Sequence, residues 1–119
     1  MKSYTDIEQS KKLAEILPPE SADNVIVSIG DREGVKTVVM PKETFDTIRT
    51  PFSDIRNTIP CWSLSALMNV LDRGALFKTP QGWACQSYID LKAITSDHHN
   101  NPIDACYEMI VKFNKMNLS

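Results

Sequence analysis

The sequence is poor in the residues that mark several common roles. Its three cysteines stand at positions 61, 85 and 106. An odd count at wide spacing makes no disulfide framework, so three small buried thiols in a reducing compartment are expected. Glycine occurs four times and histidine twice. Two of the glycines fall in "GDREG", which precedes an extended run and lacks the strand–loop–helix setting of a phosphate cradle. No apolar run approaches the ~18 residues that span a bilayer. The opening "MKSYTDIEQSKKL" has no apolar signal-peptide core. A cytoplasmic protein without membrane contact is the expectation. Neither charge dominates: 13 basic and 15 acidic side chains leave a net −2. No general field therefore draws in nucleic acid phosphates, although a local basic patch would escape the sum.

What is present suits one folded domain over residues 1–119. Hydrophobic residues make up 42% and charged residues 24%, enough for a core without staples. The spacing predicts a helix from Asp6 to Leu17, with Thr5 and Glu8 as a capping box and Pro18-Pro19 as its stop. Its expected apolar stripe is Ile7, Leu13, Ala14, Ile16 and Leu17. "NVIVSIG" and "VKTVVMP" alternate at period two about "DREG", which predicts a hairpin with Val25, Val27 and Ile29 on one face. Residues 42–60 show no clean period, and Thr50-Pro51 breaks their helical hint. A crossing loop with a short helical turn is expected there.

In "IPCWSLSALMNVL", Ser63 has the place of an N-cap, and Trp62 and Leu67 have hydrophobic-staple spacing. A helix from Leu64 to Arg73 follows, with Gly74 in the left-handed position after it. "ALFK" and "WACQSYIDL" flank "TPQG", a second hairpin. On its longer strand Trp83, Cys85, Ser87, Ile89 and Leu91 form the expected core face. Ala84, Gln86, Tyr88 and Asp90 form the other. Asn101, Pro102 and Asp104 then open a helix that runs to about Met116. The order α-β-β-α-β-β-α predicts an α+β fold, two hairpins forming an antiparallel sheet packed by three helices. The two halves share no convincing period, so no repeat is assigned.

Two of these stretches carry a resemblance. "IPCWSLSALMNVL" resembles an I-P-x-W-S-L-x-A-L-L pattern, and "NNPIDACYEMIVKFNKMNL" resembles a D-N-P-x-D-A-x-x-E-M-I pattern near a C-terminus. With "DIEQSKKLAEI", they are similar to a small uncharacterised phage- and mobile-element-associated protein family of gut bacteria. The similarity covers about half the chain. It implies a phage or integrated-element setting and action in the cytoplasm of a bacterial host cell, with no catalytic residues to carry over. The chain departs from the pattern at Asn100, where the family pattern has aspartate.

Three chemistries compete for the conspicuous polar residues. Cys61 at a helix entry, with His98 or His99 as base and Asp97 or Asn100 as orienter, would make a small cysteine hydrolase. A simpler account has Cys61 in the core, Trp62 stapling and Ser63 capping, and it leaves no residue idle. Asp97, His98 and His99, with Asp104 and Cys106, lack the paired spacing of a zinc site, so neither a metal nor another cofactor is expected. Lys11, Lys12, Arg49, Arg56, Arg73 and Lys78 are scattered. Trp83 and Tyr88 sit on opposite faces of one strand, which disfavours nucleic acid as the partner. The remaining role is non-enzymatic binding of a protein, or of a second copy of the chain, through the face that carries Gln86, Tyr88 and Asp90.

Overall fold

Ser63 and Asn101 each start a helix, as their neighbours predict. Ser63 Oγ accepts from the Ala66 N–H at 3.3 Å, and Asn101 Oδ1 accepts from the Asp104 N–H at 2.9 Å. They belong to a computed structural model of the chain that describes residues 2–31, 34–48, 55–71, 74–89 and 91–118. The fold is α+β, and the described residues form four α-helices and two three-stranded antiparallel sheets. The chain divides into two compact units, residues 6–62 and residues 1–5 with 63–119. Both expected hairpins are present, and each gains a third strand.

The first unit opens with α1 (Ile7–Ile16). Its capping box is one residue later than expected. Asp6 accepts from the Gln9 N–H at 2.8 Å, and Gln9 Oε1 accepts from the Asp6 N–H at 3.1 Å. A carboxylate at the positive helix end is a stronger acceptor than the Thr5 hydroxyl, and Thr5 is buried instead. The apolar stripe is also narrower than expected. Ser10 and Leu13 are buried, whereas Ile7 and Ala14 are exposed. Pro18 and Pro19 end the helix, and a 3₁₀ turn follows at Pro19–Ser21.

Strands β1 (Asn24–Asp31) and β2 (Gly34–Pro41) pair in register from Asn24↔Pro41 to Asp31↔Gly34. Gly34 has φ +130°, a conformation that glycine alone adopts without strain. The crossing segment departs from expectation. It forms α2 (Lys42–Ile48) and then a true strand, β3 (Ile55–Cys61), which pairs with β1 from Asn24↔Cys61. The sheet order β2-β1-β3 puts β1 in the centre, so Val25, Ile26 and Val27 are all buried. Helix α1 packs against β3.

The ladder phase follows from one bond. The Lys42 N–H donates to the Asp23 carbonyl at 3.3 Å, so odd residues of β1 exchange bonds with even residues of β2. Val35, Thr37, Val39 and Pro41 therefore direct their backbone groups away from β1. Even residues of β1 bond to β3, so Pro60, opposite Val25, also turns its ring nitrogen outward. Each edge thus carries a proline where no ladder donor is lost.

The second unit begins with α3 (Leu64–Val70), which ends at Leu71. The expected extension to Asp72-Arg73 lies outside the described residues. Gly74 donates to the Leu71 carbonyl at 3.0 Å but is not among the positive-φ glycines, so no left-handed cap forms there. Next come β4 (Ala75–Thr79), β5 (Gly82–Ile89) and β6 (Lys92–Thr95), in sheet order β4-β5-β6. The third strand turns Leu91, expected in the core, into a connecting residue. It has φ +68° and is 96% exposed, because Ile89↔Lys92 closes the β5–β6 turn just around it. Helix α4 (Pro102–Leu118) packs on β5 and on α3. Ile103, Ala105, Cys106, Met109 and Ile110 form its buried stripe. Among the described residues no buried side-chain nitrogen or oxygen lacks a hydrogen-bond partner.

Candidate functional site

Alternation along β5 separates two surfaces of the second sheet. Cys85 and Ser87 are fully buried on the side where α4 packs, and Cys85 touches Cys106 of that helix. The opposite side carries Ala84, Gln86 and Tyr88. Cross-strand partners share a face, so β4 adds Ala75, Phe77 and Thr79, and β6 adds Ala93 and Thr95. None of these eight side chains is charged. Tyr88 is 50% exposed and Phe77 36%, with Ala75, Ala93 and Thr95 also exposed. Gln86 is half-buried, and Ala84 at the centre is buried. Asp90, the third residue expected on this face, lies outside the described residues.

The edge beyond β6 is irregular. His99 and Trp83 exchange both backbone bonds, at 2.7 and 2.8 Å. The Ser96 N–H donates to the Cys85 carbonyl at 2.8 Å, and Ser96 Oγ accepts from the Cys85 N–H at 2.9 Å. Asp97 and His98 thus stand opposite the single residue Ala84, a one-residue bulge, and a hydroxyl stands in for a backbone acceptor. Gly82 makes the close approach feasible. Its φ is +130°, and a Cβ there would collide with the His99 carbonyl.

Glu108 of α4 fastens this bulge. Its Oε1 is 2.7 Å from His99 Nε2, its Oε2 is 2.8 Å from Lys112 Nζ, and Oε2 accepts from the Asp97 N–H at 3.0 Å. Burial opposes ionisation, but Lys112, His99 and the Asp97 N–H outweigh it and hold the carboxyl below its ordinary value of 4.5. His98 is exposed beside this cluster. The imidazole of His99 is therefore one partner of a latch.

The thiols are enclosed. Cys61, the last residue of β3, is 0% exposed and lies in the sheet ladder opposite Asn24. It belongs to the first unit, whereas His98 and His99 belong to the second. In the second unit, the Cys106 thiol donates to Met68 Sδ at 3.6 Å, and the hydrogen bond with Cys85 and burial push it far above the range of a reactive thiol. Among the described residues no group of three or more His, Cys, Asp or Glu side chains is arranged to hold a metal ion. In the first unit a cleft of about 220 Å³ is lined by Pro19, Val25, Lys42, Phe45, Asp46, Thr58 and Pro60. That is below the ~300–1,000 Å³ usual for small-molecule sites. None of the candidate site residues expected from the sequence borders it. No helix of the described residues is long and apolar enough to cross a membrane.

No family model, curated protein or solved structure matches the chain. The site rests on the residues themselves. Period-two alternation identifies the Gln86–Tyr88 face in the sequence. The contributions of Ala93 and Thr95 have no such signal, because "KAIT" is too short to announce a strand. The pairing of His99 with Glu108 joins a loop to a helix nine residues on and is invisible to any local pattern.

Proposed function

We propose that the chain is a non-enzymatic binding module that docks a protein through the Phe77 and Tyr88 face of β4-β5-β6, as an adaptor or modulator in a bacterial cell carrying a phage or mobile element. The observation that carries this reading is the chemistry of the face. It is a three-stranded surface whose eight described side chains are uncharged and include a half-exposed tyrosine and an exposed phenylalanine, opposite the side covered by α4. Aromatic side chains in a flat surface give large contact area at low entropic cost, the usual anchor of a protein interface.

The same chemistry favours protein over nucleic acid. A base-stacking platform needs cations beside its aromatics to meet the phosphates. Here Lys78 turns to the other side, 5.6 Å from the Trp83 ring centroid. The occupant fitting this face is a partner surface with an apolar patch and few charges.

Affinity capture from host lysate with wild-type chain and with Tyr88→Glu tests the reading. An unpaired charge buried in an apolar interface costs several kcal/mol, so the proteins retained by wild type should be depleted at least tenfold by the variant. Identical retained sets would reject it. Retention of nucleic acid that falls steeply with salt would support the alternative reading instead.

A further inference from the structure

We infer that strand β2 is a self-pairing edge, through which two copies of the chain join their first-unit sheets about a two-fold axis at Thr37. This surface belongs to a different sheet from the Tyr88 face and stands independently of that face's partner.

The Lys42–Asp23 bond fixes Val35, Thr37 and Val39 as the residues whose N–H and C=O groups point away from β1. Among the described residues β2 is an edge strand, and Gly34, Lys36, Thr37, Val38 and Val39 are all exposed. Val38 and Val39 remain 39% and 40% open, one on each face of the sheet. A long exposed edge of this kind, with valines on both faces, is a template for another strand. The other edge of the sheet is blunted within its length, because Pro60 faces outward with no N–H to offer. On β2 the outward proline is Pro41, the last residue, so the run before it stays competent.

The occupant follows from the strand's own sequence. Around Thr37 it reads Val35-Lys36-Thr37-Val38-Val39, with valine two residues away on either side. An antiparallel pairing centred on Thr37 sets Val35 against the second copy's Val39, and the reverse. Those are the outward-bonding positions. Three such pairs exchange about six backbone bonds. Lys36 falls opposite Val38 of the other copy, so no lysine faces a lysine. The threonines meet at the axis, where a small β-branched residue pairs well with itself. The patch is self-complementary in the way a closed two-fold interface requires.

The test is sedimentation velocity of the full chain as a function of concentration, with amide exchange on the same samples. The prediction is a species of twice the 13.4 kDa chain mass that dissociates on dilution. Thr37→Pro removes an outward N–H and leaves the β1 ladder intact, so it should be monomeric. Thr37→Lys opposes two ammonium groups at the axis and should also be monomeric; it decides the matter should the proline variant misfold. The Val35, Thr37 and Val39 amides should be protected in the wild-type dimer and exchange freely in Thr37→Lys. A wild-type chain that stays monomeric at millimolar concentration, or a dimer untouched by Thr37→Lys, would overturn the inference.

Discussion

His99 Nε2 and Glu108 Oε1 stand 2.7 Å apart, and this contact ties a bulged sheet edge to the helix that covers the sheet. The carboxylate also takes the Asp97 N–H and the Lys112 ammonium. A histidine that the sequence offers as a catalytic base thus has a structural partner. The latch holds the bulged segment that pairs with β5, the strand that presents Tyr88.

Glu108 should make the fold sensitive to acid. Its carboxyl is held below 4.5, so the ionised form is the one bonded in the folded chain. That contribution is complete above the unfolded value and disappears as pH falls through the lower folded value. Thermal melts of wild type should therefore drop on acidification below about pH 4.5 more steeply than those of Glu108→Gln. At neutral pH, Glu108→Ala leaves the Asp97 N–H without its acceptor and should cost about 1–3 kcal/mol by denaturant titration. Parallel acid limbs for wild type and Glu108→Gln would dismiss the latch.

Gly82 should tolerate no side chain. Its φ of +130° is strained for any other residue, and the His99 carbonyl occupies the space of a Cβ. Gly82→Ala is expected to destabilise the chain by about 1–3 kcal/mol, measured as a shift in the urea midpoint. Gly34 has the same φ but nothing within 4 Å, so Gly34→Ala should cost less. Equal losses at the two positions would show that the close approach to His99 contributes nothing.

The three thiols should be silent in the native state. Cys61, Cys85 and Cys106 are each 0% exposed. A chromogenic disulfide reagent should titrate none of them quickly in buffer and all three in guanidinium. Rapid reaction of Cys61 in the native chain would revive it as a nucleophile.

The parts of this fold legible in the sequence are those fixed by near neighbours. Ser63 and Asn101 announce their helices because a cap bonds three residues on. Both hairpins are visible because alternation and a two-residue turn are local. β3 is hidden because its strand character comes from pairing Asn24 with Cys61, and because Pro60 looks like a break until an edge position absorbs it. β6 is hidden because Leu91 takes a left-handed conformation that turn preferences assign to glycine or asparagine. The same loss affects the site. Gln86 and Tyr88 can be placed on one face from the sequence, but that face becomes a three-stranded surface only once Ala93 and Thr95 are brought alongside.

The most direct measurement is oxidative footprinting of aromatic side chains, comparing purified chain with chain inside the host cell. Tyr88 and Phe77 should be labelled readily when the protein is pure, in keeping with their exposure, and protected severalfold in the cell where the partner is present. Trp62, fully buried, supplies the internal control and should be inert in both. Equal labelling of Tyr88 in the two settings would contradict the account, because Tyr88 would then be as exposed in the cell as in the pure protein.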